Sequence, residues 1–283
     1  MPELPEVEVV RRGIESQALD SRVAAVKVLN PRAVRQHIAG AADFSARLTG
    51  ARLSQVCRRG KFLWLPLRED ECLVIHLGMS GQVLVQRRGA TPSMHTRIVI
   101  DLGARRPLLF FDDQRTFGGM HISSLTPAPD GRAVPESAVH IAPDPFEDAF
   151  DADGVARTLR SRTAGIKSLL LNQGIVSGIG NIYADEALWR ARVHWRTPGL
   201  ALSQRKALTL LAAAREVMGE ALDVGGTSFD SLYVNVNGQS GYFSRSLNAY
   251  GQEGEPCGRC GTLIRREPFA NRSSFRCPKC QRG

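Results

Sequence analysis

Between Arg22 and about Ile122 the chain consists of short apolar, β-branched runs separated by glycine and charged residues: VAAVKVL, KFLWLPL, CLVIHLG, GQVLVQ, TRIVIDL and PLLFFDD. Several alternate with period two, as a strand does when one face is inside and the other outside, and together they predict a β-sandwich or barrel. Ahead of them PEVEVVRRGIESQAL has helical spacing, with Pro5 suited to the first helical position and Glu6 and Glu8 in the turn where the helix dipole favours acids. From Thr126 to Pro145 the pattern is broken by Pro127, Pro129, Pro135, Pro143 and Pro145, which predicts an irregular linker and a domain boundary within it. Beyond it the spacing changes to three and four in DADGVARTLRSR, GIKSLLLNQ, NIYADEALWRARV and SQRKALTLLAAAREVMGEALD, so the second domain is expected to be helical. From Gly225 to Tyr250 the periodicity dissolves into Gly, Asn and Ser over a stretch longer than an ordinary connection, which suggests a functional or mobile loop. The expected organisation is α+β and multidomain: an N-terminal helix and β-sandwich over 1–125, a linker over 126–148, a helical domain over 149–250 and a small module over 251–283.

With 283 residues and 43% hydrophobic composition the chain can bury cores in two domains. Its 37 Lys and Arg against 28 Asp and Glu give +9, which favours a polyanionic partner, although a solvated basic face would give the same count. The opening MPELPEVEVV carries three Glu and no basic residue, unlike a secretory signal. No apolar run approaches the ~20 residues that cross a bilayer. A cytosolic protein is the expectation, and its six cysteines are then not disulfides.

Cys257 and Cys260 form one C-x-x-C and Cys277 and Cys280 a second, sixteen residues apart, the layout of a four-thiolate ribbon around one structural Zn2+. Two disulfides, or unliganded thiols, are the other reading. Cys57 and Cys72 lie in strand-like runs and read as core residues. Between the pairs, RREPFANRSSFR is a basic hairpin candidate, and the module from Gly251 holds seven Lys or Arg against three acids. An arginine at the tip of a zinc-held hairpin is well aimed at phosphate, yet ribbons also serve protein contacts. In NQGIVSGIGNIYADEAL, Gly174, Gly178 and Gly180 permit tight turns, and Asn181 is placed as the N-cap of a helix whose free N–H groups suit a phosphate.

The opening MPELPEVE, the segment KSLLLNQGIVSGIGNIYADEAL, GGTSF and GYF, and the closing YGQEGEPC and NRSSFRCPKCQ resemble, in order and from end to end, bacterial formamidopyrimidine-DNA glycosylases. The resemblance implies an N-terminal β-sandwich, a helix-two-turns-helix domain and a zinc finger. It also implies a bifunctional glycosylase and abasic-site lyase of base excision repair, acting on 8-oxoguanine and formamidopyrimidines in duplex DNA. On that reading Met1 is removed and Pro2 is the nucleophile, since an α-amino group with a pKa of ~8 is partly unprotonated near neutrality. Attack on the sugar C1′ expels the base and leaves an iminium ion that acidifies the C2′ hydrogen, so strand cleavage by elimination follows. Without the resemblance, Pro2 reads only as a residue leading into the helix.

By the same resemblance Glu3 donates and accepts protons as the sugar ring opens, and Glu6 either supports it or serves only the helix dipole. Lys61, after a Gly turn in CRRGKFLWLPL, is the proton donor of β-elimination, or an ordinary exposed lysine. Arg272 matches the residue of δ-elimination and phosphate contact. His95, Arg162 and Lys167 correspond to further DNA contacts, each of which could instead be a solvated side chain. Met79 in HLGMSG, with Arg115 and Phe117 in DQRTFG, matches the group that fills the hole left by an extruded base. Either apolar residue alone would read as core, but the flanking glycines favour exposed turns. MPELPE, Met79 and the R-T-F arrangement favour the oxidised-purine branch, while the loop TSFDSLYVNVNGQS is less basic than in many relatives and leaves the lesion ranking open. The alternatives are an oxidised-pyrimidine glycosylase of the endonuclease VIII type and a non-catalytic binder of damaged DNA. The expected partner is double-stranded DNA with oxidised bases or abasic sites. A monomer working in the bacterial cytoplasm, on the nucleoid when bound to DNA, suffices.

Overall fold

The structure, a computed structural model, describes residues 2–225 and 246–283. Most of the GGTSF motif, all of GYF and the loop expected to cover an extruded base lie outside the described residues. Of the described residues, those up to His140 together with Gly225 form one unit, and Ile141–Val224 with the residues from 246 form the other.

The first unit opens with α1 (Leu4–Ala18), which starts one residue earlier than the proline pattern predicts and buries Leu4, Val7, Val10 and Ile14 along one stripe. Strands follow as β1 (Ser21–Arg22), β2 (Ala25–Val28), β3 (Arg52–Leu53), β4 (Cys57–Arg59), β5 (Phe62–Pro66), β6 (Glu71–His76), β7 (Gly81–Gln86), β8 (Thr96–Asp101), β9 (Leu108–Asp113), β10 (Gly119–Pro127) and β11 (Ala133–Pro135). They form two antiparallel sheets, β11-β10-β6-β5-β4 and β2-β8-β9-β7, and a small β1-β3 pair. Leu63, Leu65, Leu73 and Ile75 of the first sheet share one core with Val83, Ile98, Ile100 and Phe111 of the second, closed by Val10 and Ile14 of α1. The expected sandwich is present. A helix that the strand pattern conceals, α2 (Gly40–Leu48), buries only Phe44 and Leu48, too few apolar positions to announce a period.

The five-stranded sheet is buried on its other face as well, by Trp64, Cys72, Val74, Ala128 and Val134. KFLWLPL and CLVIHLG are therefore continuous rather than alternating, and Cys72 is a core residue as expected. The proline-rich stretch differs from the predicted linker. Pro127 and Pro135 lie in β10 and the edge strand β11, where a missing N–H costs no ladder bond inside the sheet. The turn between them is closed by Gly131 N–H to the Ala128 carbonyl, 2.8 Å, with Gly131 at φ +80°, and Asp130 in that turn pairs with buried Arg59. The rest of the stretch belongs to the second unit, where Ala142 N–H donates to the Gln173 carbonyl, 2.9 Å, and Asp144 is fully buried.

The second unit contains α3 (Ala152–Arg160), α4 (Ile166–Leu170), α5 (Asn181–Ala191) and α6 (Gln204–Asp223), the four helices that the spacing predicts. Its last two strands, β12 (Arg265–Phe269) and β13 (Arg272–Arg276), form a hairpin. Among the described residues no helix is long and apolar enough to cross a membrane.

Candidate active site and nucleic-acid interface

In the first unit Pro2 is buried at the mouth of α1, beside Glu3 and Glu6, which are 2% and 3% exposed. Glu6 Oε2 accepts the Glu3 N–H at 2.8 Å, half of a capping box, so Glu6 fixes the backbone that follows Pro2. One turn on, buried Glu8 accepts from Arg11 Nε and Arg58 Nε, both 2.9 Å. Burial alone would raise its carboxyl, but the Arg11 and Arg58 guanidinium groups outweigh that and hold it below the usual carboxylate range. Arg58 Nη1 also donates to the Gly60 carbonyl, 3.0 Å, and Gly60 takes the left-handed conformation, φ +54°, that delivers half-buried Lys61 to the start of β5. An ion pair thus ties the Pro2 end of α1 to the lysine turn.

Met79 and Phe117 are 44% and 47% exposed, on two loops that meet backbone to backbone. A Cβ on Gly78 would lie 2.5 Å from the Gly118 nitrogen, so only glycine allows that approach. Asp113, fully buried, joins the loops. Its Oδ1 accepts from Ser80 Oγ, 2.6 Å, and the Arg115 N–H, 3.2 Å, while Oδ2 accepts from the Gly118 N–H, 2.7 Å. Arg115 is exposed, and half-buried His95 is beside them, its carbonyl accepting the Asp113 N–H at 2.9 Å. Met79, Arg115, Phe117 and His95 are therefore gathered on one rim. A core role for Met79 and Phe117 is excluded by their exposure.

In the second unit exposed Arg162 shares an open hollow with Thr163, Asn172 and Gly174. The turn to α5 is held by Gln173, whose amide donates to the Leu171 and Ile179 carbonyls and whose oxygen accepts the Gly178 N–H, 2.9 Å; Gly178 alone of the three glycines has positive φ, +89°. Two expectations are corrected here. The N-cap of α5 is Gly180, and Asn181 is its first helical residue, with its amide donating to the Ser273 carbonyl at 3.1 Å. Lys167 is not displayed to a phosphate: it is fully buried, its ammonium 2.7 Å from Asp185 Oδ1 and 3.2 Å from the Ser273 carbonyl.

The same helix receives the C-terminal module through two consecutive acids. Asp185 accepts from Ser274 Oγ, 2.8 Å, and the Phe275 N–H, 2.9 Å; Glu186 accepts the N–H groups of Asn248, Ala249 and Tyr250. Arg272 opens β13 directly after the turn at Ala270 and Asn271 and is exposed, as a phosphate-reaching tip requires. The sulfurs of Cys257, Cys260, Cys277 and Cys280 lie within 4.8 Å of one another. Cys260 and Cys277 are 3.5 Å apart, too long for a disulfide and close to the ~3.8 Å between thiolates on a tetrahedral zinc. The residues fit one structural zinc, which leaves no position for a reacting water.

Trp189 on α5 donates its indole N–H to Cys257 Sγ at 3.4 Å, and the Arg259 guanidinium stacks 3.6 Å from its ring centre while donating to the Trp189 carbonyl. Trp189→Phe should release zinc to a chromophoric chelator about three- to tenfold faster, the loss of one hydrogen bond to a charged sulfur. An unchanged rate would mean that the contact is only packing. Glu8, Arg58, Asp113, Asp185, Glu186 and Trp189 escape sequence reading because each has at least one deciding partner distant in the chain, Arg58 for Glu8 and Ser80 for Asp113 among them; only the acids of NIYADEAL, on a helix already marked, carry a signal.

Comparison with known proteins agrees with this layout. The formamidopyrimidine-DNA glycosylase N-terminal domain matches residues 1–120, the H2TH domain of the same proteins 141–232, and the zinc finger found in FPG and IleRS 254–283. The formamidopyrimidine-DNA glycosylase of Thermobifida fusca is 55% identical over 99% of this chain and 97% of its own length. A Lactococcus lactis FPG mutant in complex with Fapy-dG DNA superposes with a TM-score of 0.87 at 30% identity, and MutM in complex with carbocyclic 8-oxo-G DNA with 0.86 at 30%, each over all of both chains. The chain belongs to the formamidopyrimidine-DNA glycosylase family.

Proposed function

We propose that this protein excises oxidised purines from duplex DNA and then cuts the strand, with Pro2 as the nucleophile. The observation that carries this reading is the buried Pro2 beside Glu3 at a capped helix start, tied through Glu8 and Arg58 to the Lys61 turn. Once Met1 is removed, the ring nitrogen attacks C1′ and passes its N–H proton to the Glu3 carboxylate, and the C1′–N bond to the base breaks with the departing base taking a proton from water. The Glu3 carboxyl then returns its proton to the ring oxygen as the sugar opens to the iminium ion. The iminium nitrogen draws electrons from C2′; loss of its proton expels the 3′ phosphate, with Lys61 as proton donor, and Arg272 assists the second elimination at the 5′ phosphate. His95, Arg162 and Asn181 bind phosphates. Met79, Arg115 and Phe117 fill the hole left by the damaged base, the two apolar side chains by wedging and Arg115 by bonding the orphaned partner. Zinc holds the hairpin that carries Arg272.

Borohydride added during reaction with an 8-oxoguanine·cytosine duplex should trap a covalent complex whose cross-linked peptide begins at Pro2. No trapped species, or one mapped to a lysine, would refute the assignment. Excision from the same duplex should exceed that from a thymine glycol duplex; the reverse order would move the protein to the oxidised-pyrimidine branch.

A further inference from the structure

Arg35 is exposed, yet its guanidinium is committed to backbone carbonyls of the loop that presents Phe117. Nη1 donates to the carbonyls of Thr116, 3.3 Å, and Gly118, 2.9 Å, and Nη2 to that of Phe117, 2.8 Å, so three consecutive carbonyls converge on one fork. A fourth bond, from Nη1 to the Arg32 carbonyl at 3.0 Å, anchors the guanidinium to the short 3-10 turn over Pro31–Val34. That turn is itself fixed by the Asn30 side chain accepting the Arg32 N–H, and it abuts the strand after the loop: a Cβ on Gly119 would lie 2.5 Å from the Ala33 carbonyl oxygen.

The segment held this way is strained. Thr116 has φ +55°, a conformation that a β-branched residue rarely adopts, and it places exposed Phe117 beyond it. Converging carbonyls repel one another unless a cation collects them, and a planar guanidinium does this from two nitrogens at a fixed spacing, where an ammonium offers a single nitrogen on a flexible stem. Asp113 holds the opposite side of the loop through the Arg115 and Gly118 N–H groups. An anion on the N–H side and a cation on the carbonyl side fix the peptide planes of 115–118 from both edges.

We infer that Arg35 is a positioning residue for base extrusion, holding the Phe117 loop in its strained wedge conformation before DNA arrives. A wedge ordered in advance does not lose conformational entropy while the stack is being opened, so its removal should slow extrusion more than any later step. The inference rests on the wedge reading of Phe117 given above.

The test compares Arg35→Ala, Arg35→Lys, Phe117→Ala and the double variant Arg35→Ala/Phe117→Ala in single-turnover excision of 8-oxoguanine, with 2-aminopurine beside the lesion to report unstacking. Cleavage at a preformed abasic site, where no base must leave the stack, is measured alongside. Arg35→Ala should slow unstacking and excision by about tenfold, the scale of a lost charged hydrogen-bond cluster, and abasic-site cleavage by a smaller factor. Arg35→Lys should recover little, and the double variant should be no slower than Phe117→Ala because both act through one loop. Equal losses on both substrates, full rescue by lysine or additive losses would overturn the inference. If Phe117→Ala itself leaves unstacking unchanged, the wedge reading fails; if it slows unstacking and Arg35→Ala does not, only the clamp fails.

Discussion

Pro2→Gly should lower the single-turnover rate of 8-oxoguanine excision by at least about 10²-fold, the scale on which a displaced nucleophile costs rate, while binding to a duplex with a non-reactive abasic analogue is retained. The substitution leaves an amine at the same place in the chain but removes the ring that orients its lone pair. It also frees the backbone that Glu6 fixes through the Glu3 N–H. The loss should therefore appear in the chemical step, not in affinity. Mass spectrometry of both proteins must show Met1 removed, since an amide nitrogen at Pro2 is not nucleophilic. Excision by the glycine variant at the rate of the parent would end the case for Pro2, as would equal losses in excision and in binding.

Much of this molecule was legible in its sequence wherever the determining contacts are local. The zinc site was, because each C-x-x-C places two sulfurs on one knuckle whatever the rest of the chain does. The helices of the second unit were, because α6 repeats its apolar positions over twenty residues, whereas α2 offers two and was missed. The proline-rich stretch misled for a physical reason: proline is excluded from the interior of a sheet but not from its edge, and only the topology reveals that β11 is an edge strand. Exposure of Met79 and Phe117 followed from their neighbouring glycines, and Gly78 and Gly118 do bring the two loops together. Asp113 and Arg35, which hold that arrangement, were silent because an acid at a strand end or an arginine after a turn reads as solvated until its partners are known.

Lys167 is the sharpest case of that silence, and its removal should have the second-largest effect. A lysine with no exposed surface, 2.7 Å from an aspartate that is itself fully buried, offsets the cost of its burial through that pair. Breaking one side of such a pair costs about 3–5 kcal/mol, so Lys167→Met should unfold at markedly lower urea, followed by tryptophan fluorescence. Burial pushes the Asp185 carboxyl up to about 6, against the pull of Lys167, the Phe275 N–H and the Ser274 hydroxyl. A folded pKa above the ordinary 3.8 means that Asp185 contributes most at low pH and that its contribution is lost as pH rises through about 6. Without the ammonium the carboxyl rises further and the loss extends to higher pH, so the destabilisation should be larger at about pH 8 than at about pH 6. Adding Asp185→Asn keeps an acceptor for the Phe275 N–H and removes the orphaned charge, and should restore most of the stability and, with it, DNA binding. A double variant that is stable but still fails to bind would instead make Lys167 a direct phosphate ligand, reached by an opening of the hairpin; a single variant with pH-independent or negligible destabilisation would show that the pair does not hold the hairpin to α5.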